Sequence, residues 1–301
     1  MTEIEKVFSF IPKTFNKEFY LKGEYSERLK FSEYFLFNWR KNTYILENPE
    51  SCLQDAVFPP HPESAYLSSL IPSTLIQKNF LDVGVGSGIL SIDAAKKGWK
   101  VVGVDINKKA LKIASINAKL NDCRNIQYKY DDLAKSQEKD FFDCCIANLP
   151  FEPTPLGKTN FIHSDGGNYG DKLIKDFIPI VENLMKIDGY VVLPSFSLLK
   201  NNKSILEKHL EELSNTNFIR GIIRLSLPLE LSLLSYRFEN SKKAYSELTK
   251  EGYSHFVIDI GLLKKTKEES SFIGILNKND TADRSWIMPL GRSSFTKVKQ
   301  S

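Results

Sequence analysis

From residue 79 to residue 213, short apolar segments alternate along the chain with longer amphipathic ones. The apolar segments have the length of buried strands, and the segments between them repeat their apolar residues with the period of a helix. This alternation is typical of an α/β fold in which helices cover both faces of a doubly wound, mostly parallel sheet. The predicted strands are 79–84, 100–105, 126–130, 142–148 and 190–194, and the predicted helices are 88–97, 108–121, 171–186 and 203–213.

Beyond residue 218 the pattern changes to a strand, a polar amphipathic stretch and a last strand, at 219–227, 231–251 and 255–264. Two extended segments joined by a helical insertion, at about 229–252, fit a sheet whose final strands run antiparallel. The predicted sheet then has seven strands. The domain that contains it is predicted over 57–265, and a partly ordered C-terminal extension is predicted over 266–301.

Residues 1–56 differ in character and are predicted to form an aromatic cap on the sheet domain. This segment holds 12 of the chain's 35 aromatic residues, which are 20 Phe, 12 Tyr and 3 Trp. The twelve are Phe8, Phe10, Phe15, Phe19, Tyr20, Tyr25, Phe31, Tyr34, Phe35, Phe37, Trp39 and Tyr44. Two interpretations stay open: the rings fill the cap's own core and cover the sheet edge, or they also line a substrate pocket as a lid.

Composition excludes several classes of protein. With 301 residues, 42% of them hydrophobic and 26% charged, the chain is neither a fibre, a disulfide-stapled miniprotein nor a disordered tail. No apolar run reaches the ~18 residues of a membrane span and no apolar signal core follows Met1, so a cytoplasmic protein without membrane contact is expected. The 41 basic and 37 acidic residues permit nucleic acid as a partner without favouring it.

The four cysteines and four histidines do not have the spacing of a metal site, so no metal is expected. Cys144 and Cys145 are neighbours in a predicted strand, where successive side chains point to opposite faces, and are expected to be buried thiols. His61 and His163 could contact a substrate or be ordinary hydrogen-bonded histidines.

A glycine turn joins the first predicted strand to the helix that follows it. Glycines at positions 84, 86 and 88 allow a tight turn and a close approach of a ligand to the backbone. A dinucleotide-binding turn would need its third glycine at Ile89, so the compact turn suits a ligand without phosphates. Asp105 ends the next predicted strand, 21 positions after Gly84, where a carboxylate can accept hydrogen bonds from both hydroxyls of a ribose.

The fourth predicted strand ends in Asn148-Leu149-Pro150-Phe151, at the edge of the sheet where open α/β folds place their chemistry. An Asn oxygen and a nearby backbone carbonyl, of Leu149 or Pro150, can accept the two hydrogens of a planar amino group. An aromatic ring can stack on its face. Asn148, Pro150 and Phe151 are therefore the candidate catalytic residues.

In this order the motifs resemble those of the class I methyltransferases that use S-adenosylmethionine, over about residues 57–194. That family has a Rossmann-like fold and releases S-adenosylhomocysteine as product. The resemblance implies that Asp82 and the glycine turn contact the methionine part, that Asp105 holds the ribose, and that Asp132 and Leu133 lie beside the adenine. The cofactor-binding residues it implies are Asp82, Gly84, Gly86, Gly88, Asp105, Ile106, Asp132, Leu133 and Asn148.

Three further segments resemble the HemK-type glutamine methyltransferases and the wider group of small-domain N-methyltransferases. Residues 57–64 are similar to a proline-rich entry motif, 164–170 to a DGGxxG segment, and 89–121 to ribosomal-protein methyltransferases. Leu149 departs from the proline of the HemK-type motif and matches the form found in rRNA adenine dimethyltransferases. The helical N-terminal domain of release-factor methyltransferases is not found, and the aromatic segment takes its place.

The resulting prediction is an N-methyltransferase that acts on a planar amide or amino nitrogen, with a protein acceptor ranked first. A small molecule such as a natural-product intermediate and RNA follow as alternatives. A cofactor-binding module without turnover is the non-enzymatic alternative, and an NAD-dependent oxidoreductase is disfavoured by Ile89. Glu63 could orient the cofactor's amino group or cap a helix, and Asp165 could reach the substrate or shape a turn. Oligomeric state is left open.

Overall fold

The structure is a computed structural model. It describes residues 2–7, 24–28, 34–47, 54–76, 78–130, 139–155, 162–213, 215–234 and 241–278. These residues form two compact units. The glycine-turn unit comprises the described residues of 12–132, and the Asn148 unit comprises those of 1–11 and 133–283.

Seven α-helices and thirteen strands make up the described part of the chain. The helices are α1 (Glu3–Val7), α2 (Pro62–Ser69), α3 (Ile89–Lys96), α4 (Lys108–Leu120), α5 (Lys172–Leu184), α6 (Ile205–Glu212) and α7 (Ser241–Lys250). The strands are β1 (Glu24–Arg28), β2 (Tyr34–Trp39), β3 (Asn42–Glu47), β4 (Asn79–Val83), β5 (Lys100–Asp105), β6 (Ile126–Tyr130), β7 (Phe142–Ala147), β8 (Met185–Lys200), β9 (Lys203–Ser204), β10 (Phe218–Arg224), β11 (Leu229–Glu230), β12 (His255–Lys265) and β13 (Ser271–Asn277).

In the glycine-turn unit, β4, β5 and β6 pair side by side in parallel. Helices α3 and α4 are the crossover connections between them, as parallel pairing requires. The strand residues Phe80, Leu81 and Val101 are almost completely buried because apolar strands of this kind are covered on both faces. Helix α4 begins after Asn107, whose side chain caps the first turn by accepting from two backbone N–H groups. The predicted strands and helices of this region are confirmed within two residues.

A separate antiparallel sheet in the same unit has the order β1-β2-β3. Phe37, Trp39 and Tyr44 of this sheet are buried, and the ring centroids of Phe37 and Tyr44 lie 6.4 Å apart. The aromatic residues outside the described part are Phe8, Phe10, Phe15, Phe19, Tyr20 and Phe31, and the side chain of Tyr25 is not described either. The cap over 1–56 and the other predicted domain boundaries stay predictions.

In the Asn148 unit the strand order is β13-β10-β12-β8-β7. β7 pairs with β8 in parallel, and helix α5 connects them. β12 runs antiparallel to both β8 and β10, so the predicted antiparallel end of the sheet is confirmed. Cys144 and Cys145 are completely buried in β7, as predicted.

Two strand predictions need correction. Strand β8 is much longer than the predicted 190–194, because β12 pairs with it from Tyr190 to Leu199 and supports its far end. The sheet also contains β13, which is not among the seven predicted strands. It lies inside the segment predicted as a C-terminal tail and pairs in parallel with β10. The fold class itself, α/β with a mostly parallel sheet, is confirmed.

The predicted insertion contains a 3₁₀ turn, Leu231–Leu234, followed by α7. Residues 235–240 between them lie outside the described part. Among the described residues, no helix has the length and apolar character needed to cross a bilayer. The same residues contain no cluster of His, Cys, Asp or Glu that could hold a metal ion.

Candidate functional site

The glycine turn follows β4 and opens helix α3. Its three glycines, Gly84, Gly86 and Gly88, have φ angles of 77°, 53° and 82°. A Cβ at Gly88 would lie 2.9 Å from the Cβ of Ala114 on α4 and 2.9 Å from the Tyr128 hydroxyl. Glycine is therefore required at position 88 by both the left-handed backbone and the close approach of α4.

Asp82 lies at the end of β4, just before the turn, and is completely buried. The Ser91 hydroxyl donates a hydrogen bond to its Oδ2 atom. Within the described part of the chain, Oδ1 has no hydrogen-bond partner. Burial raises the pKa of Asp82 to about 7, and the nearby negative charge of Asp105 adds to this effect. A donor supplied by a ligand or a bound water would satisfy this oxygen.

Asp105 ends β5 and its carboxylate is fixed by the backbone. Oδ2 accepts from the N–H of Gly86 at 3.0 Å, and Oδ1 accepts from the N–H of Asn107 at 2.8 Å. Burial raises the pKa of Asp105 although these two donors oppose the shift. Each oxygen keeps a second lone pair, so the carboxylate can accept two hydroxyls of a ligand. The next side chain, Ile106, is 64% exposed and offers an apolar surface.

The proline-rich segment that precedes α2 lies against the glycine turn. The carbonyl oxygen of Phe58 is 4.0 Å from the position that a Cβ on Gly86 would occupy. Glu63 is buried in the first turn of α2, where Ser64 accepts from the His61 N–H at 3.3 Å. The role of Glu63 as a cofactor ligand stays a prediction.

Two predicted adenine neighbours, Asp132 and Leu133, lie outside the described residues. The remaining cofactor-binding candidates of the glycine-turn unit lie on one turn and at the ends of two adjacent strands. They offer a ligand the unpartnered buried oxygen of Asp82, the fixed carboxylate of Asp105 and the open backbone of the glycine turn.

In the Asn148 unit, Asn148 follows directly after β7 and is half-buried. No described residue forms a hydrogen bond with its carboxamide, so its oxygen is not occupied within this part of the chain. Pro150 is also half-buried. These two residues occupy the carboxyl end of a parallel strand, the position that the sequence predicted.

The ring of Phe151 is held by other rings. It is 7% exposed and meets Phe196 edge to face, with ring centroids 5.0 Å apart. Phe196 in turn packs on Phe256 at 5.8 Å. Such contacts fix the plane of Phe151. Sequence reasoning missed Phe196 because the predicted strand ended at 194, although the apolar run continues past that point.

The DGGxxG segment is bound to the backbone that follows Phe151. The N–H of Gly166 donates to the carbonyl of Glu152 at 3.1 Å, and the N–H of Thr154 donates to the carbonyl of Gly167 at 2.7 Å. The Asp165 carboxylate accepts from the Thr154 hydroxyl at 2.8 Å and from the Gly167 N–H at 3.1 Å. Asp165 therefore shapes a turn, which was one of its two interpretations.

Gly170 closes this segment with a φ of 77°. A Cβ there would lie 2.5 Å from the carbonyl oxygen of Phe151 and 3.1 Å from the Cδ of Pro153. We expect Gly170→Ala to lower the free energy of unfolding by about 2–4 kcal/mol, because a strained φ and a backbone clash add together. Denaturant unfolding measures the loss.

Gly274 provides the matched control for this substitution. Its φ is 111°, but a Cβ there would meet nothing within 4 Å. Gly274→Ala carries the backbone strain without the clash, so its loss of unfolding free energy should be about 1 kcal/mol. Equal losses for the two variants would contradict the close contact between Gly170 and the Phe151 carbonyl.

Helix α7 of the insertion also reaches this loop. The buried Tyr245 donates its hydroxyl hydrogen to the carbonyl of Pro153 at 3.1 Å. Ala244 and Leu248 are buried beside it. The sequence indicated an amphipathic insertion here but gave no sign of which loop it contacts.

Comparison with known proteins gives matches over the central part of the chain. A family model described as Ribosomal protein L11 methyltransferase (PrmA) matches residues 66–153. A Methanocaldococcus jannaschii protein, provisionally named a protein N5-glutamine methyltransferase, is 39% identical over 134 residues, covering 42% of this chain and 66% of that one. The Release factor glutamine methyltransferase of Fusobacterium nucleatum is 40% identical over 78 residues, covering 25% of this chain and 22% of that one.

The chain therefore spans less than two thirds of the length of these relatives. Among solved structures, M. jannaschii TYW2 in complex with AdoMet has a TM-score of 0.49 and 13% identity, covering 80% of this chain and 90% of that one. The residues matched by the family model, 66–153, include the glycine turn, Asp105 and the Asn148 motif. The family model and the sequence relatives confirm that the central part of this chain resembles the S-adenosylmethionine-dependent methyltransferases, as its motifs predict.

Proposed function

We propose that this chain is an S-adenosylmethionine-dependent methyltransferase that acts on a planar amide or amino nitrogen. The observation that carries the proposal is the Asn148 motif, whose carboxamide has no partner among the described residues and whose aromatic ring is fixed by Phe196. A module that only bound the cofactor would have no use for such an arrangement.

The glycine-turn unit fits the proposed cofactor. Its buried Asp82 oxygen lacks a donor within the described residues, and an amino group or a bridging water could supply one. Asp105 holds two oxygens ready for the ribose hydroxyls, and Ile106 exposes an apolar side chain beside them. When bound, S-adenosylmethionine supplies a methyl group on a positively charged sulfur. These residues bind and orient it.

The proposed role of the Asn148 motif is to orient the target nitrogen. The Asn148 oxygen and a neighbouring backbone carbonyl accept its two N–H groups, which directs the nitrogen lone pair away from them. Phe151 presents its ring to the planar group. Methyl transfer then depends mainly on holding the reacting atoms about 3–3.5 Å apart and in line, and a strong base is not needed.

The favoured acceptor is a protein. The relatives' names refer to glutamine in proteins, to release factors and to ribosomal protein L11. The Asn148 motif suits any planar nitrogen, so a small molecule ranks second and RNA third. A net charge of +4 does not favour an RNA partner.

Calorimetric titration with S-adenosylmethionine, S-adenosylhomocysteine and NAD tests the cofactor. We expect the first two to bind and NAD not to bind, because Ile89 replaces the third glycine of a dinucleotide turn. Purified ribosomal proteins, release factors and RNA are then offered with a labelled methyl donor. Absence of binding by all three ligands would reject the proposal, and label in RNA alone would overturn the ranking of acceptors.

A further inference from the structure

Asn117 joins the β1-β2-β3 sheet, here called the N-terminal sheet, to the glycine turn. It lies on α4 and its side chain is completely buried. Its oxygen accepts from the N–H of Ile45 at 2.6 Å, and its amide group donates to the carbonyl of Ile45 at 3.0 Å. The same amide group donates to the carbonyl of Ser87 at 2.8 Å. One side chain thus bonds to β3 and to the centre of the turn.

Asn121, one helical turn later, makes the same pair of bonds to β3 but none to the turn. Its oxygen accepts from the N–H of Thr43 at 2.9 Å, and its amide group donates to the Thr43 carbonyl at 2.7 Å. The geometry is matched, because two residues of a strand rise about 6.6 Å and four residues of a helix rise about 6 Å. The two asparagines therefore hydrogen-bond to the backbone groups along the edge of β3 that faces α4.

The glycine turn makes a second contact with the same face of α4, at Ala114. Ala114 precedes Asn117 by three residues, so the two side chains are neighbours on the helix. The close approach of Ala114 leaves no room for a Cβ at Gly88. Helix α4 thus constrains the conformation of the turn, and Asn117 bonds both to the turn and to β3.

We infer that Asn117 is a positioning residue that couples the docking of the N-terminal sheet to cofactor binding at the glycine turn. The inference rests on the proposed cofactor. Because coupling between two sites is reciprocal, binding of the cofactor stabilises the bonds between β3 and α4 by the same factor as docked β3 strengthens cofactor binding.

Substitution of each asparagine by alanine separates this role from a structural one. Alanine is the best helix former, so α4 is retained when alanine replaces Asn117, and Asn121 lies just beyond the helix at its C-cap. Asn117→Ala loses the donor to Ser87, and we expect its affinity for S-adenosylhomocysteine to fall about tenfold, the size of one buried hydrogen bond. Asn121→Ala loses the equivalent pair of bonds to β3 and one bond to the Asn117 carbonyl, but none to the turn, and its affinity should stay within about twofold. Calorimetry measures both.

Hydrogen exchange gives a second readout that needs no substitution. In the wild-type protein, S-adenosylhomocysteine should slow exchange of the backbone amides of residues 42–47, and it should do so in Asn121→Ala but not in Asn117→Ala. If the wild-type protein binds S-adenosylhomocysteine, two results overturn the inference and leave the proposed function intact. One is an unchanged affinity in Asn117→Ala, and the other is an equal loss of affinity in Asn117→Ala and Asn121→Ala. Failure of the wild-type protein to bind the ligand overturns both.

Discussion

Asn148→Ala should abolish most methyl transfer while leaving the affinity for S-adenosylmethionine within about twofold. The carboxamide is the group proposed to orient the target nitrogen, and misplacing a reacting atom by about 1 Å costs roughly 100-fold in rate. Asn148 is also among the cofactor-binding residues that the resemblance implies, but the methionine part and the ribose are assigned to residues of the glycine-turn unit, so the affinity should change little when this one side chain is lost. Single-turnover transfer of a labelled methyl group, together with calorimetry, measures the two quantities.

Asn168→Ala is the control for this experiment. Asn168 is an exposed residue of the DGGxxG segment, so its loss removes the same group from the same unit without touching the motif. It should keep wild-type turnover. Full turnover of Asn148→Ala on the true acceptor would remove Asn148 from the reaction. A large loss of cofactor affinity would instead make it mainly a cofactor ligand.

The local part of the fold could be predicted from the sequence. Strands β5 and β6 begin and end where the sequence predicted. β5 is an apolar run between Lys100 and Asp105, and β6 alternates polar residues with Ile126, Tyr128 and Tyr130. The glycine turn, Asp105 and the Asn148 motif were found for the same reason: each is a continuous run whose chemistry depends on neighbours in sequence. Their order along the chain gave the resemblance to methyltransferases.

Contacts between distant residues could not be predicted in this way. Tyr245 binds the Pro153 carbonyl across 92 positions, and Asn117 binds Ile45 across 72. Both use backbone groups as the partner. Every residue offers a backbone carbonyl, and every residue except proline also offers an N–H, so the sequence carries no complementary signal. Strand β13 was missed similarly, because only its pairing with β10 distinguishes Ser271–Asn277 from a tail.

Asp105→Ala should weaken binding of S-adenosylmethionine by about 100-fold or more, the cost of two hydrogen bonds to a charged group. The carboxylate is fixed by the N–H groups of Gly86 and Asn107, so its oxygens need no rearrangement to accept the ribose hydroxyls. Loss of the side chain also frees the Gly86 N–H in the turn. Calorimetry gives the affinity, and turnover is measured against cofactor concentration.

A control variant, Asp55→Ala, and a comparison with Asn148→Ala test whether the effect of Asp105→Ala is specific to cofactor binding. Asp55→Ala removes an exposed carboxylate of the same unit, one whose contact with Lys109 is 3.5 Å, and should leave cofactor affinity unchanged. In Asp105→Ala, turnover should recover at saturating cofactor because the acceptor motif is intact, whereas Asn148→Ala should stay inactive at any cofactor concentration. Wild-type affinity in Asp105→Ala would show that the ribose is held elsewhere. A loss of turnover that saturating cofactor cannot restore would show that Asp105 acts in the transfer step itself.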